Sequence, residues 1–245
     1  MHKLFDLSGK TVLVTGASSG IGKQTAISIS ECGGKLVITG RDAERLTQTF
    51  NQLKGTDHKM ILADLSAEEE IERLASEIPL LNGLVHCAGI TSPLPVKFIK
   101  KRHIDDMMNV NFNIPVLLTA RILTNRKLQD NSSIVFLSTI ATKFPYYGGA
   151  LYSSSKSALS GYSSVLALEL APKGIRSNCL LPGFVKTPMY EATLKTASAE
   201  AMNKFELLHP LGIGTPEDVS GPVCFLLSDA ARWITGANLP LGGSI

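Results

Sequence analysis

A chain of 245 residues with 44% hydrophobic and 18% charged residues has the size and composition of one large α/β domain with a substantial core. Its net charge of +3 is too small, and too evenly spread, to favour nucleic acid as a partner. No apolar run is as long as a membrane span, the N-terminus lacks a signal-peptide core, and the four scattered cysteines show no metal-ligand spacing. We therefore expect a cytoplasmic protein with reduced thiols, no membrane association and no bound metal.

Short β-rich segments alternate with segments of helical periodicity along the chain. The predicted strands are residues 11–14, 35–39, 59–63, 83–86, 133–138, 176–181 and 238–241. The predicted helices between them include residues 42–53, 67–77, 113–126 and 152–170. Such alternation indicates parallel strands joined by right-handed crossovers, so we predict one doubly wound α/β domain over residues 1–245, with seven parallel strands and helices on both faces. Residues 188–214 are less regular and are predicted to form a flap over a substrate site.

A glycine-rich turn follows the first predicted strand and precedes a segment of helical periodicity. It runs from Thr15 to Gly22, with glycines at positions 16, 20 and 22. A strand, a glycine turn and a helix N-terminus together can hold the phosphates of a dinucleotide. A nucleoside-triphosphate P-loop does not fit, because the interval between Gly16 and Gly22 is one residue too long and Gln24 stands where a magnesium-binding Ser or Thr belongs.

Tyr152 and Lys156 stand four residues apart in the predicted helix of residues 152–170, which places them on one face about one turn apart. A fixed cation near a phenol favours the phenolate, so we expect Lys156 to lower the pKa of Tyr152 from its ordinary value near ~10. A proton donor and a hydride-carrying dinucleotide on one chain indicate reduction of a carbonyl group or oxidation of an alcohol.

In this order the motifs resemble those of the short-chain dehydrogenase/reductase family, and the likeness covers nearly the whole chain. The matching segments are the glycine turn, Asp64-Leu65, Val110-Asn111, the Tyr152 and Lys156 pair, Pro182-Gly183 with Thr187, and residues 216–219 and 235–236. Within the family, the general likeness is to 3-oxoacyl-acyl-carrier-protein reductases and their small-molecule relatives.

The resemblance implies a role for each matching residue. Tyr152 would be the general acid in reduction and the base in oxidation, and Lys156 would hold the phenolate and the nicotinamide ribose. Asn111 would hold a water that links Lys156 to solvent, although a structural role at a helix bend stays open. The residues expected at the cofactor are Gly16, Ser18, Ser19, Gly20, Ile21, Gly22, Arg41, Asp64, Leu65, Ala88, Gly89, Tyr152, Lys156, Pro182, Gly183 and Thr187.

Two neighbouring residues compete for the position of the fourth catalytic group. The family places a serine thirteen residues before the tyrosine, and that position is Thr139 here, with Ser138 beside it. Neighbours on a strand point to opposite faces, so only one of the two faces the substrate. We assign Thr139, because spacing and strand phase agree, and keep Ser138 as the alternative. A second departure is His86-Cys87, which replaces the family's paired asparagines before Ala88-Gly89; we interpret His86 as structural.

The end of the second predicted strand bears on the choice of cofactor. An acidic residue there would hold the 2′-hydroxyl of NAD, but Gly40 leaves that position empty. Arg41 follows, with a planar fork of donors suited to phosphate oxygens, so we favour NADP(H) over NAD(H). The alternative is that Arg41 only begins a solvated helix and pairs with Asp42 or Glu44.

The sequence therefore favours an NADP-dependent oxidoreductase that acts on a small-molecule carbonyl or secondary alcohol, with a 3-oxoacyl thioester as one candidate substrate. Two alternatives stay open: an NAD-dependent dehydrogenase of sugars, polyols or steroid-like alcohols, and a dinucleotide-binding sensor or scaffold without turnover. The resemblance also implies a homodimer or homotetramer, built partly on the helices of residues 113–126 and 152–170.

Overall fold

In the computed structural model, which describes residues 5–194, 207 and 209–242, seven strands form one sheet. They are β1 (Thr11–Thr15), β2 (Lys35–Gly40), β3 (Lys59–Leu62), β4 (Leu81–His86), β5 (Leu128–Leu137), β6 (Arg176–Pro182) and β7 (Asn238–Leu241). Their order across the sheet is β3-β2-β1-β4-β5-β6-β7, and every pairing is parallel. The predicted doubly wound parallel sheet is confirmed. The largest boundary difference is in β5, which begins five residues before the predicted segment and pairs irregularly with the start of β4.

Helices cover both faces of this sheet, as the alternation of elements predicts. They are α1 (Gly20–Glu31), α2 (Ala43–Phe50), α3 (Glu68–Glu77), α4 (Lys101–Met108), α5 (Ile114–Thr124), α6 (Ala150–Leu170), α7 (Pro188–Leu194) and α8 (Pro216–Leu227). Strand β1 shows how one segment serves two cores: Leu13 packs with the apolar residues of α3, α5 and α6, whereas Val12 and Val14 pack with those of α1 and α8. Since side chains alternate along a strand, a buried parallel strand needs apolar residues at successive positions.

Local sequence signals set several helix ends. Asp42 caps α2 by accepting a hydrogen bond from the Arg45 backbone N–H at 3.0 Å. Thr215 and Asp218 form a capping box at the start of α8, where Pro216 occupies the first turn. Between α4 and α5, residues Asn109–Asn113 form a π-helical turn, and the predicted helix of residues 113–126 is observed as α5, one residue later at its start. This wider turn carries Asn111, which is fully buried.

The carboxyl ends of β1, β4, β5 and β6 meet at one edge of the sheet, where ligands bind in open α/β folds. The predicted flap of residues 188–214 begins with α7 near this edge, but its residues 195–206 and 208 lie outside the described part of the chain. None of the helices among the described residues combines the length and apolar character that crossing a membrane requires.

Candidate active site

The glycine turn after β1 packs so closely against the end of β4 that side chains are excluded at two positions. Gly16 has a φ of 66°, and a Cβ there would lie 2.8 Å from the Ala88 backbone. A Cβ on Gly22 would collide with the carbonyl of Gly16. The first turn of α1 holds no acidic residue, and its N-cap, Ser19, makes no side-chain capping bond. Backbone N–H groups at this helix start are therefore available to an anion, and the turn fits the phosphates of a dinucleotide.

A second loop, after β6, faces this turn. A Cβ on Gly20 would lie 3.3 Å from the methyl group of Thr187, so the two segments are in contact range. The Thr187 hydroxyl donates to the Val185 carbonyl at 3.2 Å and accepts from the Tyr190 N–H at the same distance, which fixes the loop at the start of α7. The expected cofactor residues of the glycine turn and those of the loop after β6 thus border the same space.

That space is a cavity of about 490 Å³ at the carboxyl edge of the sheet. Tyr152, from α6, and Thr139, just beyond the end of β5, both line it, and the Thr139 side chain makes a polar contact with the phenol. The Thr139 hydroxyl also donates to the Pro182 carbonyl at 3.5 Å and accepts from the Ala141 N–H at 3.2 Å. Ser138 also borders the cavity, but its hydroxyl donates to the backbone carbonyl of Lys156 at 3.0 Å and is buried. The structure therefore brings Thr139, and not the Ser138 hydroxyl, to the phenol.

The pKa of Tyr152 is raised from its ordinary value, whereas the sequence led us to expect that Lys156 would lower it. Burial of the hydroxyl raises it to about 12, the nearby Tyr146 phenol adds to the rise, and only the hydrogen bond with Thr139 opposes it. The Lys156 ammonium does not lower it, because it points to the Leu137 carbonyl, to which it donates at 2.8 Å. The expectation of an acidified phenol was wrong for this structure. Tyr152 keeps its proton at neutral pH, which is the form a general acid needs.

Lys156 is a buried cation beside the cavity. Burial lowers its pKa from 10.5 to about 8, and the Cys87 and Cys179 side chains oppose that shift. A Cβ on Gly89 would lie 3.2 Å from both the Lys156 Nζ and the Asn111 Oδ1, so these two polar atoms approach one glycine. That arrangement explains why a residue without a side chain is needed at position 89.

The Asn111 side chain holds the segment after β4 in place. Its Oδ1 accepts from the Ile90 N–H at 2.8 Å, and its Nδ2 lies 3.0 Å from the Ile90 carbonyl and from the Ser155 hydroxyl. These contacts, made from a π-helical turn, give it the structural role that the sequence left open. Its participation in a proton relay stays a prediction.

The residues expected around the adenosine lie together at the ends of β2 and β3. A Cβ on Gly40 would lie 3.2 Å from the Ser18 hydroxyl. Two hydrogen bonds from Ser66 lower the pKa of Asp64, and the positive charge of Arg41 lowers it further. Asp42 pairs with Arg45 at 2.7 Å instead of with Arg41. Among the described residues Arg41 makes no ion pair within 4 Å, so its guanidinium is exposed to solvent beside this site. Leu65 is buried.

His86 lies behind the cavity and is neutral. Its Nε2 bonds to the Thr119 hydroxyl at 2.9 Å, and its ring stacks on Phe136 with centroids 4.8 Å apart. Burial lowers its pKa to about 3, and the charge of Lys156 acts in the same direction. These contacts agree with the interpretation of His86 as a structural residue.

Tyr146 and His209 are among the cavity residues that sequence reasoning missed. Tyr146 adds a second phenol, hydrogen-bonded to Thr91 from another loop. His209 accepts a hydrogen bond from the Phe184 N–H through its Nε2 at 2.8 Å, and its ring occupies the space where a Cβ on Gly183 would lie. Spacing gives no signal for either residue, since both reach the cavity from irregular segments whose paths the sequence does not specify.

The different directions of Thr139 and Ser138 predict different results for their alanine variants. Thr139→Ala removes the hydroxyl beside Tyr152 and is expected to lower kcat about 100-fold, as loss of one donor at a reacting oxygen does elsewhere. Thr139→Ser keeps that donor and should stay within a few-fold of the parent. Ser138→Ala should lower the free energy of unfolding by about 1 kcal/mol with little effect on kcat. Steady-state rates and urea unfolding of the three variants would distinguish them, and the reverse order of rates would show the assignment to be wrong.

Comparisons with known proteins agree with this architecture. A family model of short chain dehydrogenases matches residues 10–198. The chain is 33% identical over 243 residues to the 3-oxoacyl-[acyl-carrier-protein] reductase FabG of Rickettsia felis, covering 99% of both chains. It is similar in structure to a dehydrogenase/reductase from Sinorhizobium meliloti 1021, with a TM-score of 0.88, 31% identity and coverage of 98% and 97%. It is also similar to a protein provisionally described as an NAD(P)-dependent gluconate 5-dehydrogenase from Beutenbergia cavernae, solved with NADP at low occupancy, with a TM-score of 0.87, 29% identity and coverage of 97% and 96%.

A parallel doubly wound sheet, with a glycine turn and a tyrosine hydroxyl beside one cavity, is typical of an oxidoreductase built on a dinucleotide-binding fold. The chain belongs to the short-chain dehydrogenase/reductase family. It is therefore an enzyme that acts on CH–OH or carbonyl groups, within a family that uses a nicotinamide cofactor.

Proposed function

We propose that the protein is an NADPH-dependent carbonyl reductase with Tyr152 as its general acid. The observation that carries this proposal is the position of the Tyr152 hydroxyl beside Thr139 in a cavity bordered by Ile21 of the glycine turn and by Thr187 of the loop after β6. The phenol is protonated at neutral pH, so it has a proton to donate to an oxygen that becomes negative.

Each residue of the site has a separate role in the reduction. When bound, the nicotinamide cofactor supplies the hydride. Thr139 and Tyr152 hold the carbonyl oxygen between two hydrogen-bond donors, and Tyr152 transfers its proton to that oxygen as negative charge develops on it. The Lys156 ammonium would hold the ribose of the bound nicotinamide, and Asn111 supports the return of a proton from solvent. In oxidation the same groups act in the reverse order.

The preference for NADPH rests on Arg41, and a matched pair of variants tests it. Arg41→Ala is expected to weaken NADPH binding about 10- to 100-fold, the range of a charge-assisted hydrogen bond to phosphate, with little change for NADH. Arg45→Ala removes a nearby guanidinium that is already paired with Asp42, and it should leave the ratio of the two affinities unchanged. Fluorescence titration of both cofactors measures it. Equal losses for NADPH and NADH in Arg41→Ala would remove the phosphate argument.

The candidate substrate from the sequence is a 3-oxoacyl thioester, which the likeness to the Rickettsia felis reductase favours over other carbonyl compounds. A direct assay with a short 3-oxoacyl thioester and NADPH tests this point. Absence of turnover, with another ketone reduced by the same preparation, would exclude the thioester while leaving the reductase proposal intact.

A sensor or scaffold that binds the dinucleotide without turnover is the competing class. It gives no reason for a donor pair of Tyr152 and Thr139 inside the cavity. Mixing the protein with NADPH and a panel of ketones, and following absorbance of the cofactor, separates the two classes. Binding of NADPH without consumption of any ketone would favour the sensor and contradict the reductase.

We further propose that the protein is a cytoplasmic homodimer or homotetramer. Helix α6 exposes Val165 and Leu168, the latter 77% accessible, on its outer face. Large apolar side chains side by side on a solvent-facing helix are suited to burial against a second copy. Sedimentation at the mass of one chain would contradict this assembly.

A further inference from the structure

The wall of the cavity around the reaction centre is aromatic and apolar. Beyond Tyr152 and Thr139, it is formed largely by Phe144, Tyr146, Phe184, Met189 and Tyr190, together with several proline and aliphatic side chains. Among the described residues that line it there is no Asp, Glu or Arg, and the only Lys is Lys156 at the reaction centre. A substrate held here therefore meets mainly carbon surface.

Several polar groups in the wall are engaged within the protein. The Thr91 and Tyr146 side chains are hydrogen-bonded to each other, the Thr187 hydroxyl donates to the Val185 carbonyl, and the His209 Nε2 accepts from a backbone N–H. The hydroxyls of Tyr147 and Tyr190, which also line the wall, can still meet a neutral polar group. An ionised carboxylate, in contrast, loses its hydration here without gaining a cation, because the described wall offers none apart from Lys156. Charged substrates are thus disfavoured by the same surface that favours apolar ones.

Part of the wall is fixed by backbone contacts between two loops. The Leu94 N–H donates to the Gly148 carbonyl at 2.8 Å, and Gly148, with a φ of 81°, allows this close approach. The loop after β4 and the loop before α6 are therefore joined, so this side of the cavity is preformed. A substituent large enough to cover this preformed apolar wall strengthens binding of the substrate by about 0.8 kcal/mol for each buried methylene.

From these observations we infer that the substrate is a bulky ketone whose substituents are uncharged and apolar. This inference rests on the proposed reductase function and selects among its substrates. It places ionised keto acids outside the substrate class and keeps within it alkyl, alicyclic and aryl ketones and 3-oxoacyl thioesters with an apolar acyl chain. The reaction is the one already described: hydride adds to the carbonyl carbon, the Tyr152 proton adds to its oxygen, and NADPH becomes NADP⁺.

A pair of nearly isosteric ketones tests the inference without changing the reacting carbonyl. We expect 4-isopropylacetophenone to be reduced with a kcat/KM at least about 100-fold above that of 4-acetylbenzoate, because the carboxylate loses hydration in the cavity. NADPH oxidation measured at matched concentrations gives the ratio. Equal or faster reduction of 4-acetylbenzoate would overturn the inference.

A variant that introduces charge makes the test specific to the cavity wall. Met189 is half-exposed at the start of α7, so Met189→Arg can be accommodated. It should raise kcat/KM for 4-acetylbenzoate at least about tenfold relative to the isopropyl ketone, through a charge-assisted contact, whereas Met189→Leu should leave the ratio unchanged. A ratio unaffected by the arginine would show that the wall does not set selectivity. If NADPH binds but no ketone of any kind is consumed, the proposed reductase function fails, and the substrate class fails with it.

Discussion

Tyr152→Phe is expected to lower kcat for ketone reduction about 1,000-fold while leaving NADPH affinity within a few-fold of the parent. The Tyr152 phenol combines a transferable proton with a position in the cavity beside Thr139. General acid catalysis by one positioned side chain contributes roughly 10²- to 10⁴-fold, and phenylalanine keeps the ring that packs beside the cofactor site. The loss should appear in kcat and in kcat/KM alike, because the proton is transferred only in the transition state.

The same helix provides a matched control for that substitution. Tyr162 lies ten residues further along α6, packs edge-on against Phe136 and bonds through its hydroxyl to Thr119, outside the cavity. Tyr162→Phe removes an identical atom from a partly buried tyrosine and should change stability by about 1 kcal/mol without affecting turnover. Single-turnover reduction with preloaded NADPH measures both variants. Undiminished rates in Tyr152→Phe would refute the assigned acid, and equal losses in both variants would indicate a general packing effect.

The fold was predictable because its signals are local and repeat along the chain. Strands with apolar residues at successive positions, such as Val12, Leu13 and Val14, require two covered faces, and the helices between them provide the cover. The glycine turn was equally predictable. A Cβ at Gly16 or Gly22 would collide with nearby backbone, and that close packing is a general feature of the first β-α-β connection in this type of sheet.

The electrostatics of the site could not be predicted in the same way. The four-residue spacing puts Lys156 on the same helix face as Tyr152, but spacing does not say where an ammonium on a four-carbon stem points. In the structure it reaches the Leu137 carbonyl on β5, and burial then dominates the pKa of both residues. The contacts of Tyr146 and His209 were unpredictable for a related reason, because they join segments that are distant in sequence and irregular in structure.

Lys156 is expected to set an alkaline limit on the reaction near pH 8. Its buried ammonium has a pKa lowered to about 8, so the charge is present below that pH and is lost as the pH rises through it. Tyr152, with its pKa raised to about 12, keeps its proton over the same range and is not the group that titrates. We expect kcat/KM for NADPH, which reports groups of the free enzyme, to be constant up to about pH 7.5 and then to fall about tenfold for each pH unit above 8.

Two lysine variants and one stability measurement assign this limit to its residue. Lys156→Arg keeps a positive charge at all these pH values, so the variant, whatever its maximal rate, should show no decline near pH 8. Lys173→Arg alters an exposed lysine just beyond the end of α6 and should retain the parent profile. A decline that persists at the same pH in Lys156→Arg would exclude Lys156 as its source.

Unfolding at alkaline pH cannot cause the same loss of activity through Lys156, because deprotonation of this residue raises the free energy of unfolding instead of lowering it. Between about pH 8 and the ordinary lysine value of 10.5, the folded chain has released the Lys156 proton while the unfolded chain still holds it. The unfolded state then binds more protons, so the contribution of this residue to the free energy of unfolding increases with pH. Activity that falls while this contribution rises is therefore specific to the loss of the ammonium from the site, and urea unfolding of the parent and Lys156→Arg at pH 7.5 and 9.5 would separate the two effects.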